Sequence, residues 1–164
     1  MSNYLLENIF IKGYKSFREL ELPLAPVNVL IGANGSGKSN FISLFKMLHR
    51  MMNGELQLHI AQSGGADQVL HYGRKGTEEL ILRLWFLRND TLANGYECHL
   101  KPAEDRLVVT YEATYFHDRT RYPKPYQDLT HWGVYEESLL PQWAKGGGVS
   151  RYVYDALQSW QLYH

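Results

Sequence analysis

The sequence holds one cysteine, Cys98, so no internal disulfide can tie the chain together. It has no run of about 18 apolar residues and no basic-then-apolar leader. That excludes an ordinary membrane-crossing helix and leads to the expectation of a cytoplasmic protein without membrane partners. Charge of either sign is not in excess, because 17 basic residues balance 17 acidic ones. Such a chain lacks a global electrostatic footprint for nucleic acid, leaving only local patches. The seven histidines, at 49, 59, 71, 99, 117, 131 and 164, never pair at i, i+4 with a nearby helical glutamate. None has a cysteine cluster beside it, which argues against zinc, and no Ser-His-Asp set can be assigned.

What is present is more specific. Gly32-Ala33-Asn34-Gly35-Ser36-Gly37-Lys38-Ser39 satisfies the G-x-x-x-x-G-K-[ST] pattern at every fixed position. Polyphosphate binding needs successive backbone N–H groups turned toward one anion. This crowds the chain and favours glycine, as at Gly35 and Gly37. A helix starting near Lys38 adds its unpaired amides and positive dipole end. Lys38 supplies a mobile charge and Ser39 a hydroxyl for Mg²⁺, so ATP and magnesium are the expected ligands, with Asn40 closing the loop.

Length and pattern frame the loop. With 164 residues and 45% apolar content, the chain can build one core of ordinary size. Residues 5–12 and 17–22 read as strands, and Val27-Asn28-Val29-Leu30-Ile31 as a buried strand of a parallel sheet. Phe41, Leu44, Phe45, Leu48 and Met52 recur at helical spacing until Asn53-Gly54. From residue 78 to 117 the period changes to alternation, predicting an antiparallel meander with turns at Asn89-Asp90 and Asn94-Gly95. Cys98 falls in that alternation as a buried strand residue. Residues 122–126 read as an exposed loop, Gly146-Gly147-Gly148 as a flexible joint, and residues 149–164 as an amphipathic helix.

That helix runs to His164 without a stop signal, so the chain is expected to end inside a domain. Hydrolysis by a P-loop enzyme also needs a second strand ending in Asp, usually Asp-Glu. No such strand is found. Tyr154-Asp155 lies in a helical pattern and Asn89-Asp90 at a hairpin turn, and both read as surface carboxylates. Arg119-Thr120-Arg121-Tyr122-Pro123-Lys124 is a basic and aromatic loop whose contact with nucleic acid is a weak lead.

The string Ile11-Lys12-Gly13-Tyr14-Lys15-Ser16-Phe17, the strand at 27–31, the Asn-Gly-x-Gly-Lys-Ser loop and the later Gly64-Gly65-Ala66-Asp67 to His71-Tyr72-Gly73-Arg74-Lys75 follow one another in a linked order. Together they resemble the ABC-type ATPase heads of the RecF and SMC kind and their bacterial AAA-family relatives. The resemblance implies an α/β P-loop fold, here an N-terminal lobe over 1–164 with parallel core strands and an antiparallel subdomain. It further implies homodimerisation of heads around ATP, in DNA repair, chromosome maintenance or phage defence, with DNA or a nuclease as partner. The Asp-Glu and signature motifs belong to a C-terminal lobe absent from this chain, so isolated ATPase activity is not expected. The resemblance adds Lys15 to the nucleotide site and a glutamine to the magnesium, for which Gln57, Gln62, Gln68 and Gln158 are all available. A nucleotide-binding module that never hydrolyses remains the alternative, with a small P-loop kinase behind it.

Overall fold

In the computed structural model, which describes residues 4–163, one six-stranded sheet carries the fold in the order β2-β1-β3-β4-β5-β6. β1 (Leu5–Tyr14) and β2 (Phe17–Pro23) form a hairpin closed at Lys15 and Ser16. β3 (Leu80–Leu87), β4 (Leu92–Ala103), β5 (Arg106–Asp118) and β6 (Tyr126–Tyr135) continue as a meander. Every described pairing is antiparallel.

Alternation decides which face is covered. Ile9, Ile11, Leu82, Leu84, Phe86, Tyr96 and Cys98 turn to one side and are fully buried. Against them lie α1 (Lys38–Met52), through Leu44, Met47, Leu48 and Met51, and α6 (Gly148–Gln158), through Val153, Ala156 and Leu157. Burial pushes the Cys98 thiol well above its ordinary value, as suits an inert core residue. Short helices α2 (Leu56–Gln62), α3 (Ala66–Val69), α4 (Gly73–Gly76) and α5 (Leu140–Trp143) fill the corners. No described helix is long and apolar enough to cross a membrane.

Several expectations are corrected. Residues 27–31 are not a buried parallel strand: Val27, Val29 and Ile31 are 80%, 76% and 90% exposed. The chain leaves the hairpin at Pro23, and Asn28 closes a local turn by accepting from the Ala25 N–H and donating to the Ala25 carbonyl. That turn carries the segment away from β2, so it joins no ladder of the described sheet. Asn94-Gly95 is not a turn but part of β4, because the Trp85 ring lies over Gly95, where a Cβ would stand 2.8 Å from it. The reversal occurs at residues 88–92, where Arg88 donates to Leu92. The last helix stops at Gln158 rather than 164, and Trp160 folds back against Phe45 with ring centroids 4.8 Å apart. His164 lies outside the described residues.

One glycine is fixed by packing. Gly13 has φ +77°, and a Cβ there would stand 2.6 Å from Thr77 Cγ2 and 2.7 Å from the Glu79 carbonyl oxygen. Gly13→Ala is expected to lower stability by about 2 kcal/mol, through left-handed strain and overpacking. Urea unfolding checks this, and an unchanged midpoint would refute it.

Candidate functional site

The phosphate-loop sequence hangs at the front of α1. Gly37 is the N-cap residue of the helix in the left-handed region (φ +94°), and Gly35 adopts φ +83°. A Cβ on Gly37 would meet Ser16 Oγ at 2.9 Å, so the loop is pressed against the β1–β2 turn. Residues 32–36 and Ser39 are solvent-exposed, whereas Gly37 is buried. α1 has no acidic residue in its first turn, and its leading amides have no acceptor within the helix. Cradle, dipole and open access therefore coincide at one point.

Lys38 folds back over the loop. Its Nζ donates to the carbonyls of Gly32 (2.6 Å) and Ala33 (2.7 Å) and more weakly to Ser36 Oγ (3.2 Å). Asn40 does not face the cradle through its amide, which donates to Ser16 Oγ at 3.1 Å. This bond, with Gly37 packed on Ser16, fastens the hairpin turn to the helix.

Lys15 is brought onto α1. Its Nζ donates to Ser43 Oγ at 3.0 Å, and the Tyr14 hydroxyl shares the same oxygen at 2.8 Å. Ser43 lies four residues after Ser39 and so on the same helix face. Burial, with Lys46 nearby, pulls the Lys15 ammonium below its ordinary value.

No glutamine is tied to the loop by a hydrogen bond among the described residues. Gln57 donates to the carbonyls of Leu107 and Glu136, and Gln158 to Asn53. Gln62 and Gln68 stand exposed on α2 and α3. Asp155 pairs with Arg151 at 2.8 Å on α6, and Asp90 sits exposed in the β3–β4 turn. In the basic loop, Arg119 is held by Glu7 and Arg121 lies 3.4 Å from Asp118. Ser43 and Ser16 escaped notice in the sequence, although the i, i+4 spacing of Ser39 and Ser43 is a readable signal.

No curated protein matches the chain. Among solved structures, one from work on the ATP-driven dimerisation and DNA-stimulated activation of SMC ATPases matches at 19% identity over 70% of this chain and 70% of that one, with a TM-score of 0.46. The profile of the AAA ATPase domain matches residues 5–115. That stretch runs from β1 through residues 32–39 and α1 into β5 and takes in more than half of the sequence, so the chain belongs to the AAA ATPase domain family.

Proposed function

We propose that this chain is the ATP-binding lobe of an ATPase head of the RecF/SMC kind, taking Mg-ATP on residues 32–39. The observation that carries the reading is the exposed loop closed by a left-handed Gly37 at the front of a 15-residue helix. The residues fit the group: amides of 33–38 would receive phosphate oxygens, and Ser39 would offer its hydroxyl to Mg²⁺. Lys38 keeps its two short carbonyl bonds, and its third donor, now on Ser36 at 3.2 Å, is the one a phosphate oxygen would take. When bound, Mg²⁺ offsets phosphate charge; this chain's own residues bind and orient the nucleotide.

Hydrolysis would require parts from elsewhere. The exposed apolar side chains of Val27, Val29, Leu30 and Ile31 suit a surface that a second lobe would cover. That lobe would also bring the Asp-Glu strand and the signature motif, and two heads would close on ATP as a homodimer. By the same resemblance the setting is DNA repair, chromosome maintenance or phage defence, with DNA or a nuclease as partner. On this reading the chain alone is a binder rather than an active ATPase.

Calorimetric titration with Mg-ATP tests the reading. Micromolar binding that Lys38→Ala weakens at least about tenfold, or about 1.4 kcal/mol, is expected. A folded chain that gives no heat, or binding indifferent to Lys38→Ala, would overturn it.

A further inference from the structure

Lys15 has φ +45°, a left-handed conformation that costs a non-glycine residue about 1 kcal/mol and persists only where its surroundings enforce it. The enforcement is visible in residues 69–71. The Lys15 N–H donates to the Val69 carbonyl at 2.8 Å, and Leu70 makes a bridge with Tyr14. The His71 N–H donates to Gly13 at 3.0 Å, and His71 Nδ1 lies 2.6 Å from the Lys15 carbonyl. A carbonyl only accepts, so Nδ1 carries the proton. Three hydrogen bonds, two of which form the Tyr14–Leu70 bridge, thus clasp one strained turn.

The clasp is itself anchored. Asp67 accepts from the Arg74 N–H (2.7 Å), Nε (3.0 Å) and Nη2 (2.8 Å), which draws its carboxyl down to about 2. Ala66 donates to the Asp105 carbonyl at 3.0 Å, and Thr77 Oγ1 donates to the His71 carbonyl. The string from Gly65 to Lys75 therefore folds as a short platform between the β4–β5 turn and the β1–β2 turn. Were turn geometry alone needed at position 15, glycine would serve without strain. A lysine there points to use of its side chain, which lies on Ser43, about 6 Å of helix rise from Ser39.

We propose that residues 69–71 form a positioning element for the nucleotide site: His71 holds the Lys15 turn so that the Lys15 ammonium lies along the Ser39–Ser43 face of α1 as a second cation for the polyphosphate. The inference rests on the P-loop reading of Lys38 and Ser39. Lys15 touches the ligand; His71 acts only through Lys15. Asparagine at position 71 can place an amide N–H near the position of Nδ1, whereas alanine cannot.

Titration of Mg-ATP into the 164-residue chain separates these roles. Lys15→Ala should weaken binding about five- to twentyfold, His71→Ala should match it within about twofold, and the double variant should be no weaker than the worse single one. His71→Asn should restore most of the affinity, a rescue that a general loss of packing would not show. Circular dichroism of each variant establishes that it is folded, and Lys15→Ala with His71→Asn still decides the matter where His71→Ala is not. Binding sensitive to Lys38→Ala but indifferent to Lys15→Ala and His71→Ala overturns this inference alone, as does multiplicative loss in the double variant. Absence of Mg-ATP binding by the folded wild-type chain, or binding unaffected by Lys38→Ala, overturns the P-loop reading and this inference together.

Discussion

Glu112→Ala is expected to remove about 3–4 kcal/mol of folding stability, close to a third of what a domain of this size typically has. Glu112 is 1% exposed on the covered face of β5, where a carboxyl is costly unless its oxygens are met. They are met three times. The Tyr96 and Ser138 hydroxyls donate to Oε1, and the Leu139 N–H donates to Oε2 at 2.7 Å. Those donors come from β4 and from the segment that leads out of β6 into α5, so one carboxyl ties the end of the sheet to the helices covering it. Alanine would leave the buried Tyr96 hydroxyl and the half-buried Ser138 hydroxyl and Leu139 amide without this acceptor, and would leave a void besides. Glu112→Gln keeps an acceptor oxygen, and its loss should be about half as large. Urea unfolding of the three proteins checks this. A Glu112→Ala loss below about 1 kcal/mol would show that water replaces the carboxylate there and that the anchor is not structural.

Much of this fold was legible where a residue's fate depends on its near neighbours. Alternation in residues 80–87 named the buried face of β3, and the apolar spacing of α1 named the side that meets the sheet. The tight turn before α1 was legible because its constraints are local, with Gly35 and Gly37 at positions of positive φ. Legibility failed where distant contacts decide. The apolar run at 27–31 was read as buried, but apolarity records what a segment favours and not whether the sheet has a place for it. Asn94-Gly95 carries turn chemistry, yet the glycine serves the Trp85 ring across the strand pair. β6 mixes exposed Asp128, Leu129, Trp132 and Val134 and shows no clean period. The clasp around Lys15 joins residues more than 50 positions apart, and no spacing rule could have linked His71 to that turn.

Stability should fall on acidification from pH 6.5 toward pH 4, before ordinary acid denaturation begins, and His59 is the expected cause. His59 lies in α2 at 7% exposure, and its Nε2 has no hydrogen-bond partner among the described residues. Burial, followed by the charges of Lys15, Lys46 and Arg50, pulls its folded-state value down from 6.5 to about 4. Between those two values the unfolded chain binds the proton and the folded chain does not. The contribution of neutral His59 is therefore fully present above pH 6.5 and is lost as pH falls from 6.5 through 4, with about 1 kcal/mol gone by pH 5 after allowance for solvent screening. Glu112 works in the opposite sense, since burial raises its carboxyl and protonation on acidification favours the folded state. Glu97, which burial alone would raise, is held at about 2 by hydrogen bonds from His99 and Arg83. Its loss, like that of Asp67, falls below about pH 4.5, the ordinary carboxylate range. Comparison with His59→Gln isolates the histidine, because the carboxylates are common to both proteins. The wild-type chain should lose about 1 kcal/mol more than the variant between pH 7.5 and pH 5, measured by urea unfolding at each pH. Parallel losses in the two proteins would mean that His59 takes up its proton without leaving the folded state, and the cationic surroundings given by Lys15, Lys46 and Arg50 would then not be felt at the ring.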